Sequence, residues 1–376
     1  MTENSENQSD TSITIALDAM GGDHAPACIM EGAALALKKT PNIRFVLHGD
    51  EEAITPWLEK LPALKQASTI EHTDITVSGD AKPSTALRTG RNSSMGRAIK
   101  TVRQNEVDCA VSAGNTGVLM GLSKLMLRTL PGIDRPAIVS LLPTLKGNCV
   151  MLDLGANVYC DANNLFEFAV MGDAFARIML GLDSPSIGLL NIGSEEGKGN
   201  DIIREAATML RECEMQLNYY GHIEGDDIGH GAVDVVVTDG FSGNIALKTA
   251  EGTAKMAFSF IKEALQQSLI ARLGAFLARP ALRSVVGKLD PRLHNGAMFL
   301  GLNGIVVKSH GGTDAVGFAN AIAVAIRLAS ADINTQIVNE MIQSGHIMAE
   351  ETTKPSIKTP STKTTPEECP TEDKPS

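Results

Sequence analysis

Residues 13–26 read ITIALDAMGGDHAP and set the pattern for most of the chain. The first six residues are mostly apolar without strict alternation, which is typical of a strand covered on both faces. The two glycines that follow allow a tight turn, and Pro26 suits the start of a helix. The stretch therefore predicts a buried strand that ends in a polar loop and leads into a helix over 26–39.

The same pattern recurs along the chain. Apolar runs of strand length alternate with segments of helical periodicity, which predicts an α/β fold with a doubly wound, mainly parallel sheet. The candidate strands are ITIALDA (13–19), IRFVLHG (43–49), CAVSAG (109–114), AIVSLL (137–142), CVMLDLG (149–155), SIGLLNIG (186–193), VDVVVTDG (233–240) and GIVVKSHG (304–311). The candidate helices lie at 26–39, 116–130, 163–182, 202–213, 244–267 and 313–344.

Length and composition bound the domain organisation. The chain has 376 residues, of which 43% are hydrophobic and 20% charged, enough for one large core or two moderate ones. Residues 1–12 and 348–376 are polar, so we expect disordered tails around one α/β domain at 13–347. No apolar run reaches the roughly 18 to 20 residues of a membrane-spanning helix, and no signal peptide is visible, so a cytoplasmic location is expected.

Charge and motif content argue against several classes of protein. The formal net charge of -11 argues against nucleic-acid binding, which relies on cationic surfaces that release counterions. Six cysteines lack CxxC or ligand spacing, so reduced, buried thiols are expected. No metal site is predicted, since HIEGDDIGH (222–230) lacks a two-histidine helical spacing and is interpreted as a polar loop. No GxGxxG fingerprint supports a nicotinamide cofactor.

Polar loops follow six of the candidate strands. In open α/β sheets the ligand crevice lies beyond the carboxyl ends of the strands. Because parallel strands end at the same side of a sheet, we expect all six loops to line one crevice. They read ALDAMGGDHAP, SAGNTG, LDLGAN, NIGSEEGKGN, TDGFSGN and SHGGTD.

The loop SAGNTG joins a candidate strand to a candidate helix. Ser112, Gly114, Asn115 and Thr116 lie where free N–H groups and the positive end of a helix dipole favour an anion such as phosphate. The alternative is an ordinary capped turn, in which Gly, Asn and Thr are common.

The loop GSEEGKGN holds Lys198 between Gly197 and Gly199. Its glycine spacing is one residue short of a nucleotide P-loop, and no Ser or Thr follows the lysine, so an ATP site is not predicted. A lysine in a glycine loop beside a helix start can hold a phosphate or an oxyanion. A solvated loop is the alternative.

Two aspartates and a histidine are candidate acid, base or substrate-orienting groups. Asp18 and Asp153 each end an apolar run, where a carboxylate is expected to point into the crevice, and His24 precedes the proline that starts the first helix. Asx-turn and N-cap roles are the alternative for such residues.

A cationic, amphipathic segment follows the candidate helix at 244–267. Apolar residues interleave there with cations and predict a helical protrusion over about 254–293. Such a patch suits an acidic protein or an anionic lipid surface, and packing in a dimer interface is the alternative. The cations of the patch are Arg272, Arg279, Arg283, Lys288 and Arg292.

The ordered set of loops resembles one known family. ALDAMGGDHAP, SAGNTGVLM, RPAI, LDLGAN, GLLNIGSEEGKGN, TDGFSGNIALKTAEG and GLNGIVVKSHG occur in the order found in the bacterial phosphate acyltransferases, the acyl-carrier-protein:phosphate transacylases of phospholipid synthesis. The likeness covers about residues 13–344. NGAMFLGLNG (295–304) departs from the Gly-Gly-Ala-Pro-Leu of many members, and the tail after 348 lies outside the family pattern.

The resemblance implies a structure, an activity and partners. The expected fold is Rossmann-like, related to phosphate acetyltransferases and isopropylmalate-type dehydrogenases, with a protruding helical hairpin. The expected activity moves a fatty acyl group from acyl carrier protein to inorganic phosphate without a cofactor. A homodimer is expected, associated peripherally with the membrane near a glycerol-phosphate acyltransferase.

The resemblance, together with the loop patterns above, assigns residues to the site. Lys198 and Asn244 are expected to contact phosphate or the oxyanion, with Asp18 and His24 as further catalytic groups. Substrate binding is expected from Ser112, Gly114, Asn115, Thr116, Asp153, Asn157, Gly197, Ser242 and His310. Three alternatives stay open: a dehydrogenase of the isopropylmalate type, a non-catalytic scaffold that recruits carrier protein, and a phosphate acetyltransferase acting on coenzyme A.

Overall fold

The structure of the protein, a computed structural model, describes residues 12–288, 290, 292–293 and 295–346. The two predicted tails therefore lie almost wholly outside the described residues. The strands are β1 (Ile13–Asp18), β2 (Ile43–Gly49), β3 (Ser68–His72), β4 (Cys109–Ser112), β5 (Ala137–Thr144), β6 (Gly147–Leu152), β7 (Ser186–Leu190), β8 (Asn218–Ile223), β9 (Val235–Val237), β10 (Ala297–Leu300) and β11 (Ile305–Lys308).

Helices connect most of these strands. They are α1 (Ala27–Lys39), α2 (Glu51–Lys60), α3 (Pro62–Gln66), α4 (Pro83–Thr89), α5 (Ser94–Arg103), α6 (Thr116–Leu127), α7 (Ala162–Leu180), α8 (Asp201–Glu212), α9 (Gly225–His230), α10 (Gly240–Gln266), α11 (Leu269–Lys288), α12 (Ala315–Ser330) and α13 (Ile333–Gln343). A 3₁₀ turn covers Gly90–Asn92.

All eleven strands form one sheet in the order β3-β2-β1-β4-β11-β10-β5-β6-β9-β7-β8. Seven neighbouring pairs are parallel. The exceptions are β10 with β11, β10 with β5, and β5 with β6, which are antiparallel. The predicted mainly parallel α/β sheet is confirmed, with a short antiparallel segment in its middle.

The antiparallel segment reverses the direction of half the sheet. Counting the three reversals, β6, β7, β8 and β9 run opposite to β1, β4 and β11. The loops after β1, β4 and β11 therefore leave the sheet in one direction and are here called the first rim. The loops after β6, β7 and β9 leave it in the opposite direction and are called the second rim. The prediction that parallel strands bring all six loops to one edge is wrong in direction, although the strand register places the ends of all six strands in one row across the sheet.

The core covers both faces of the sheet. One face packs against α1, α7, α12 and α13, with Phe168, Phe175 and Phe318 fully buried. The other face packs against α5 and α6, around Met95 and Leu122. Strands buried on both sides explain why their sequences are apolar at nearly every position.

Several predicted boundaries differ from the structure. The helix predicted at 313–344 is two helices, α12 and α13, because the chain breaks at Asp332, whose φ is 48°. NGAMFLGLNG, the segment that departs from the family pattern, contains strand β10, which was not among the candidate strands. HIEGDDIGH, expected to be a polar loop, forms the end of β8 and helix α9.

Helices α10 and α11 form the predicted helical hairpin, and many of their apolar side chains are exposed. Among them are Met256, Phe260, Ile270, Phe276 and Leu277. Within the described residues, no single helix has the length and apolar composition to cross a membrane, although the bent pair α12 and α13 together passes the same test.

Candidate functional site

The first rim is built around a buried carboxylate. Asp18, at the end of β1, is only 1% exposed, and its Oδ2 accepts a hydrogen bond of 2.6 Å from the Ser112 hydroxyl. The Ser112 oxygen in turn accepts from the Gly114 N–H at 3.0 Å. The other Asp18 oxygen, Oδ1, has no hydrogen-bond partner among the described residues. Burial raises the pKa of Asp18, and hydrogen bonding, chiefly by Ser112, opposes the shift.

A buried lysine completes this cluster. Lys308 ends β11 beside Ser112 and is 9% exposed. Burial lowers the pKa of Lys308 to about 8, against the opposing attraction of Asp18 and Asp23. The first rim thus contains a desolvated acid and a desolvated base in the same cluster.

The remaining predicted residues of the first rim are more exposed. Asn115 caps α6, since its Oδ1 accepts from the Val118 N–H at 3.0 Å and its Nδ2 donates to the Gly79 carbonyl at 2.6 Å. His24 and Thr116 are exposed. His310 is also exposed, and its Nδ1 accepts from the Gly312 N–H at 3.2 Å. Asn115 therefore has a structural role in holding the loop.

The second rim is built around Asp153, whose carboxylate is surrounded by donors. Oδ1 accepts from the N–H groups of Ile138, Gly155 and Ala156 at 2.9 to 3.1 Å. Oδ2 accepts from the Asn157 N–H at 2.7 Å and from its side-chain Nδ2 at 3.0 Å. Burial raises the pKa of Asp153, and these hydrogen bonds oppose the shift. Asp153 and Asn157 hold the loop after β6 in one conformation.

Helix α10 begins against this loop. Asp239 caps it by accepting from the Ser242 N–H and hydroxyl, both at 2.8 Å. Gly243 lies so close to the Asp153 carbonyl oxygen that a Cβ there would clash with it. Asn244 follows on the first turn, is exposed, and donates through Nδ2 to the Leu154 carbonyl at 3.0 Å. The close packing fixes the position of Asn244 at the rim.

Lys198 lies in the loop between β7 and α8. Its carbonyl accepts from the Asn191 side chain at 3.1 Å, and Asn200 caps α8 by accepting from the Ile203 N–H at 2.9 Å. Lys198 and Gly197 are exposed. Among the described residues, no ion pair involves the Lys198 ammonium. The charge is free to meet a ligand.

Exposed apolar side chains accompany these polar groups. The segments after β6, β7 and β9 each contribute at least one of them, and exposed apolar side chains that gather in one patch mark binding surfaces. They are Val158, Tyr159, Ile192, Phe241 and Ile245.

The structure thus divides the predicted site residues into two sets. The first rim holds Asp18, His24, Ser112, Gly114, Asn115, Thr116 and His310, and the second holds Asp153, Asn157, Gly197, Lys198, Ser242 and Asn244. Three strands lie between β4 and β6, so Ser112 and Asp153 are about 19 Å apart across the sheet. No hydrogen bond within the described part of the chain joins the two sets.

A family model described as "Fatty acid synthesis protein" matches residues 13–336, most of the chain. The chain belongs to this family. A phosphate acyltransferase of Rhodospirillum centenum is 59% identical over 327 residues, covering 87% of this chain and 92% of that protein. A phosphate acyltransferase of Rhodospirillum rubrum is 56% identical over 330 residues, covering 88% and 95%.

Solved structures of low sequence identity share the family's fold. A phosphotransacetylase from Streptococcus pyogenes superposes with a TM-score of 0.56 at 19% identity, covering 85% of this chain and 94% of that one. A branched-chain phosphotransacylase from Enterococcus faecalis gives 0.51 at 14% identity, covering 84% and 98%. These likenesses confirm the predicted relation to the phosphate acetyltransferase fold.

Two residues of these rims were not predicted from the sequence. Lys308 lies within the apolar run GIVVKSHG and was not considered as a site residue. A lysine inside such a run indicates a buried charge that needs a partner. Asp239 was part of a quoted loop, TDGFSGN, and its place three residues before Ser242 is the pattern of an N-cap.

The remaining predictions concern the hairpin, the cysteines and metals. Arg272 and Arg279 are exposed on α11, while the side chains of Arg283 and Lys288 lie outside those the structure describes. Burial raises the pKa of Cys149 and Cys160 to about 12, so neither is a ready nucleophile. Among the described residues, no three His, Cys, Asp or Glu side chains are grouped so that they could hold a metal ion.

Proposed function

We propose that this chain transfers a fatty acyl group from the thioester of acyl carrier protein to inorganic phosphate, giving acyl phosphate for phospholipid synthesis. The support is the family, together with relatives at 51–59% identity that are named phosphate acyltransferase. The observation that carries the proposal is the second rim, where Lys198, Asn244 and exposed apolar side chains come from three neighbouring loops.

The reaction needs an anion held against a thioester. A phosphate oxygen attacks the carbonyl carbon, and the carbonyl oxygen becomes an oxyanion in the tetrahedral intermediate. When the oxyanion reforms the C=O bond, the C–S bond breaks and the thiolate leaves, to be protonated from solvent. Because phosphate is already nucleophilic, no covalent enzyme intermediate is required. The protein supplies orientation and donors to the developing charge.

Lys198 and Asn244 supply those donors in the proposed site. The Lys198 ammonium neutralises charge on phosphate or on the oxyanion, and the Asn244 amide donates an N–H. The start of α8 adds the positive end of a helix dipole beside Gly197. Asp153 and Asn157 act indirectly, since their polar atoms hold the loop and the start of α10 in place.

The apolar side chains of the second rim suit the acyl chain. A fatty acyl thioester places a long hydrocarbon next to its reacting carbonyl. Phe241 and Ile245 flank Asn244 in sequence, and Ile192 lies in the loop that leads to Lys198. Burying each CH₂ group of the chain contributes about 0.8 kcal/mol.

We propose that the first rim takes part only through a homodimer. The loops that carry Asp18 and His24 leave the sheet in the direction opposite to those that carry Lys198 and Asn244, so in the proposed dimer the first rim of one chain faces the second rim of its partner. The His24→Ala and Lys198→Ala chains are each expected to be inactive alone. When they are mixed, about half of the dimers are heterodimers with one intact site of two, so up to about a quarter of wild-type activity should return. No recovery on mixing would remove the first rim from the reaction.

The hairpin of α10 and α11 suits partners at the membrane. Arg272 and Arg279 are exposed beside Leu269, Ile270 and Phe276. We propose that this surface meets acidic carrier protein or anionic lipid in the cytoplasm, which would place acyl phosphate near a membrane glycerol-phosphate acyltransferase.

Incubation with palmitoyl carrier protein and phosphate tests the proposed function. The expected product is an acyl phosphate trapped by hydroxylamine, with release of free carrier thiol that depends on phosphate. Acetyl-coenzyme A in place of the carrier protein separates this activity from that of an acetyltransferase. Thioester cleavage that proceeds equally without phosphate would reject the proposal.

A further inference from the structure

A cavity of about 430 Å³ opens beside the loop that carries Lys198. Two residues of that loop, the end of α8 and strand β8 form its walls. The lining residues that matter here are Ser194, Glu196, Arg211, Tyr219, Tyr220 and His222.

A β-bulge places two of these side chains on the same face of the sheet. Ile187 pairs with Tyr219, but Gly188 pairs with Gly221, so Tyr220 is an extra residue in β8. Gly221 accommodates the irregularity with a φ of 124°. Without the bulge, Tyr219 and His222 would point to opposite faces, because side chains alternate along a strand. The extra residue turns both toward α8.

Both side chains bring a polar atom without a partner. Tyr219 Oη and His222 Nε2 are closed off from solvent and make no hydrogen bond within the described residues. Buried polar groups normally have partners. Burial raises the pKa of Tyr219 to about 12, so its hydroxyl keeps the proton and remains available as a donor. Because both residues line the cavity, a ligand there can supply the missing partners once these side chains turn their polar atoms toward it.

Arg211 adds a positive charge at the mouth of the cavity. Its guanidinium lies 5.8 Å from the centre of the Tyr219 ring and pairs with Glu196 at 3.1 Å. The two paired side chains are 45% and 85% exposed, and exposed ion pairs are weak. An incoming anion can therefore displace Glu196 from Arg211. The released carboxylate is then an acceptor for N–H or O–H groups of the same ligand.

We propose that this cavity binds a small phosphate ester. The phosphate oxygens would accept from Arg211, Tyr219, His222 and the exposed Ser194 hydroxyl, and a phosphate matches the fork of an arginine well. Inorganic phosphate alone would leave most of the space empty, whereas 430 Å³ lies in the range of sites for small organic ligands. The organic part would lie against Tyr220 and hydrogen-bond to Glu196.

Two sources offer this chemistry. One is a free phosphate ester, and the other is the phosphate-bearing pantetheine arm that carries the acyl thioester. The second source rests on the proposed function and would place the arm beside Lys198. The binding experiment below needs no turnover, so its failure leaves the thioester assay as a separate test of the proposed function.

Isothermal titration calorimetry on the full chain tests the cavity with three probes: 4′-phosphopantetheine, glycerol 3-phosphate and inorganic phosphate. We expect one of the two esters to bind and inorganic phosphate to bind at least about tenfold more weakly. Binding of 4′-phosphopantetheine alone assigns the arm, and binding of glycerol 3-phosphate identifies a free ester. Absence of binding by both esters overturns the proposal.

Matched variants locate the bound ester. Arg211→Met keeps the aliphatic stem and Tyr219→Phe keeps the ring, and each is expected to weaken binding at least about tenfold. Arg103→Met removes an exposed arginine from α5, outside the cavity lining, and is the control. Unchanged affinity in both cavity variants, with melting temperatures equal to wild type, would also overturn the proposal.

Discussion

The two rims of the sheet use similar strand-to-helix loops in different ways. On the second rim, Asp153 is surrounded by five N–H donors and lies beneath exposed groups that can meet a substrate. On the first rim, Asp18 has one unpartnered oxygen and shares its cluster with buried Lys308. An aspartate at the end of a strand therefore stabilises its loop when its hydrogen bonds are complete. When they are not complete, the buried carboxylate keeps part of its desolvation cost.

The largest expected effect is on the rate of acyl phosphate formation when Lys198 or Asn244 of the second rim is replaced. Removing a donor to an oxyanion weakens transition-state binding by about 2.7 to 4 kcal/mol, so Lys198→Ala and Asn244→Ala should each slow acyl phosphate formation by roughly two to three orders of magnitude. Both side chains are exposed, so the melting temperature should hardly change. Single-turnover rates with palmitoyl carrier protein measure the effect.

Lys248→Ala is the control for this loss. Lys248 lies one turn after Asn244 on α10, and its ammonium pairs with Glu251 at 2.9 Å. Its loss should leave the rate within about twofold of wild type. Near-normal turnover in a folded Lys198 or Asn244 variant would remove that residue from the site.

The next largest effect is expected from the two aspartates. Asp153→Asn replaces an acceptor by an amide donor that faces N–H groups, and should lower the free energy of unfolding by about 3 kcal/mol. Asp18→Asn removes a desolvated carboxylate, so its loss should be less than half as large. Urea unfolding at neutral pH measures both, and equal losses would contradict the contrast between the rims.

Lys308 predicts a pH dependence specific to the first rim. Its folded pKa of about 8 lies below the ordinary 10.5, so between these values the unfolded chain binds more protons. Stability should therefore rise with pH across this range, by up to roughly 3 kcal/mol, and should not depend on Lys308 below about pH 8, where both states carry the proton. Lys308→Met should lack this rise in urea titrations, and a parallel rise in the variant would assign it to other groups.

The smallest effect is expected at the hairpin, which extends from the second rim. Arg272→Glu with Arg279→Glu should raise the KM for carrier protein several-fold and weaken binding to anionic vesicles, with little change in kcat. The same reversal at Lys38 and Lys39, exposed at the end of α1, is the control. Unchanged KM and unchanged vesicle binding would assign the arginines to packing between chains.

Much of the fold was predictable because the central strands are buried on both faces. Two of the strands that escaped prediction are ones to which this does not apply. β3 (STIEH) and β8 (NYYGHI) are the two edge strands of the sheet and are mixed in polarity. β10 was obscured by the glycines around it.

The reversal of strand direction between β5 and β6 could also have been predicted from the sequence. Only Leu145 and Lys146 separate β5 from β6, and parallel strands need a crossover of about a dozen residues or more. AIVSLL and CVMLDLG therefore had to be antiparallel. The roles of Asp18 and Asp153 could not be predicted in this way, because both end apolar runs and only the surrounding N–H groups distinguish them.

Helix α10 has a mechanical consequence. It starts against Asp153, carries Asn244 on its first turn and continues without interruption to Gln266. At 1.5 Å per residue, Asn244 and the far end of the helix are separated by a rod of about 33 Å. A surface that binds the hairpin therefore holds the second rim at a fixed distance and angle. The length of α10 would set the distance that an acyl chain travels between that surface and the second rim.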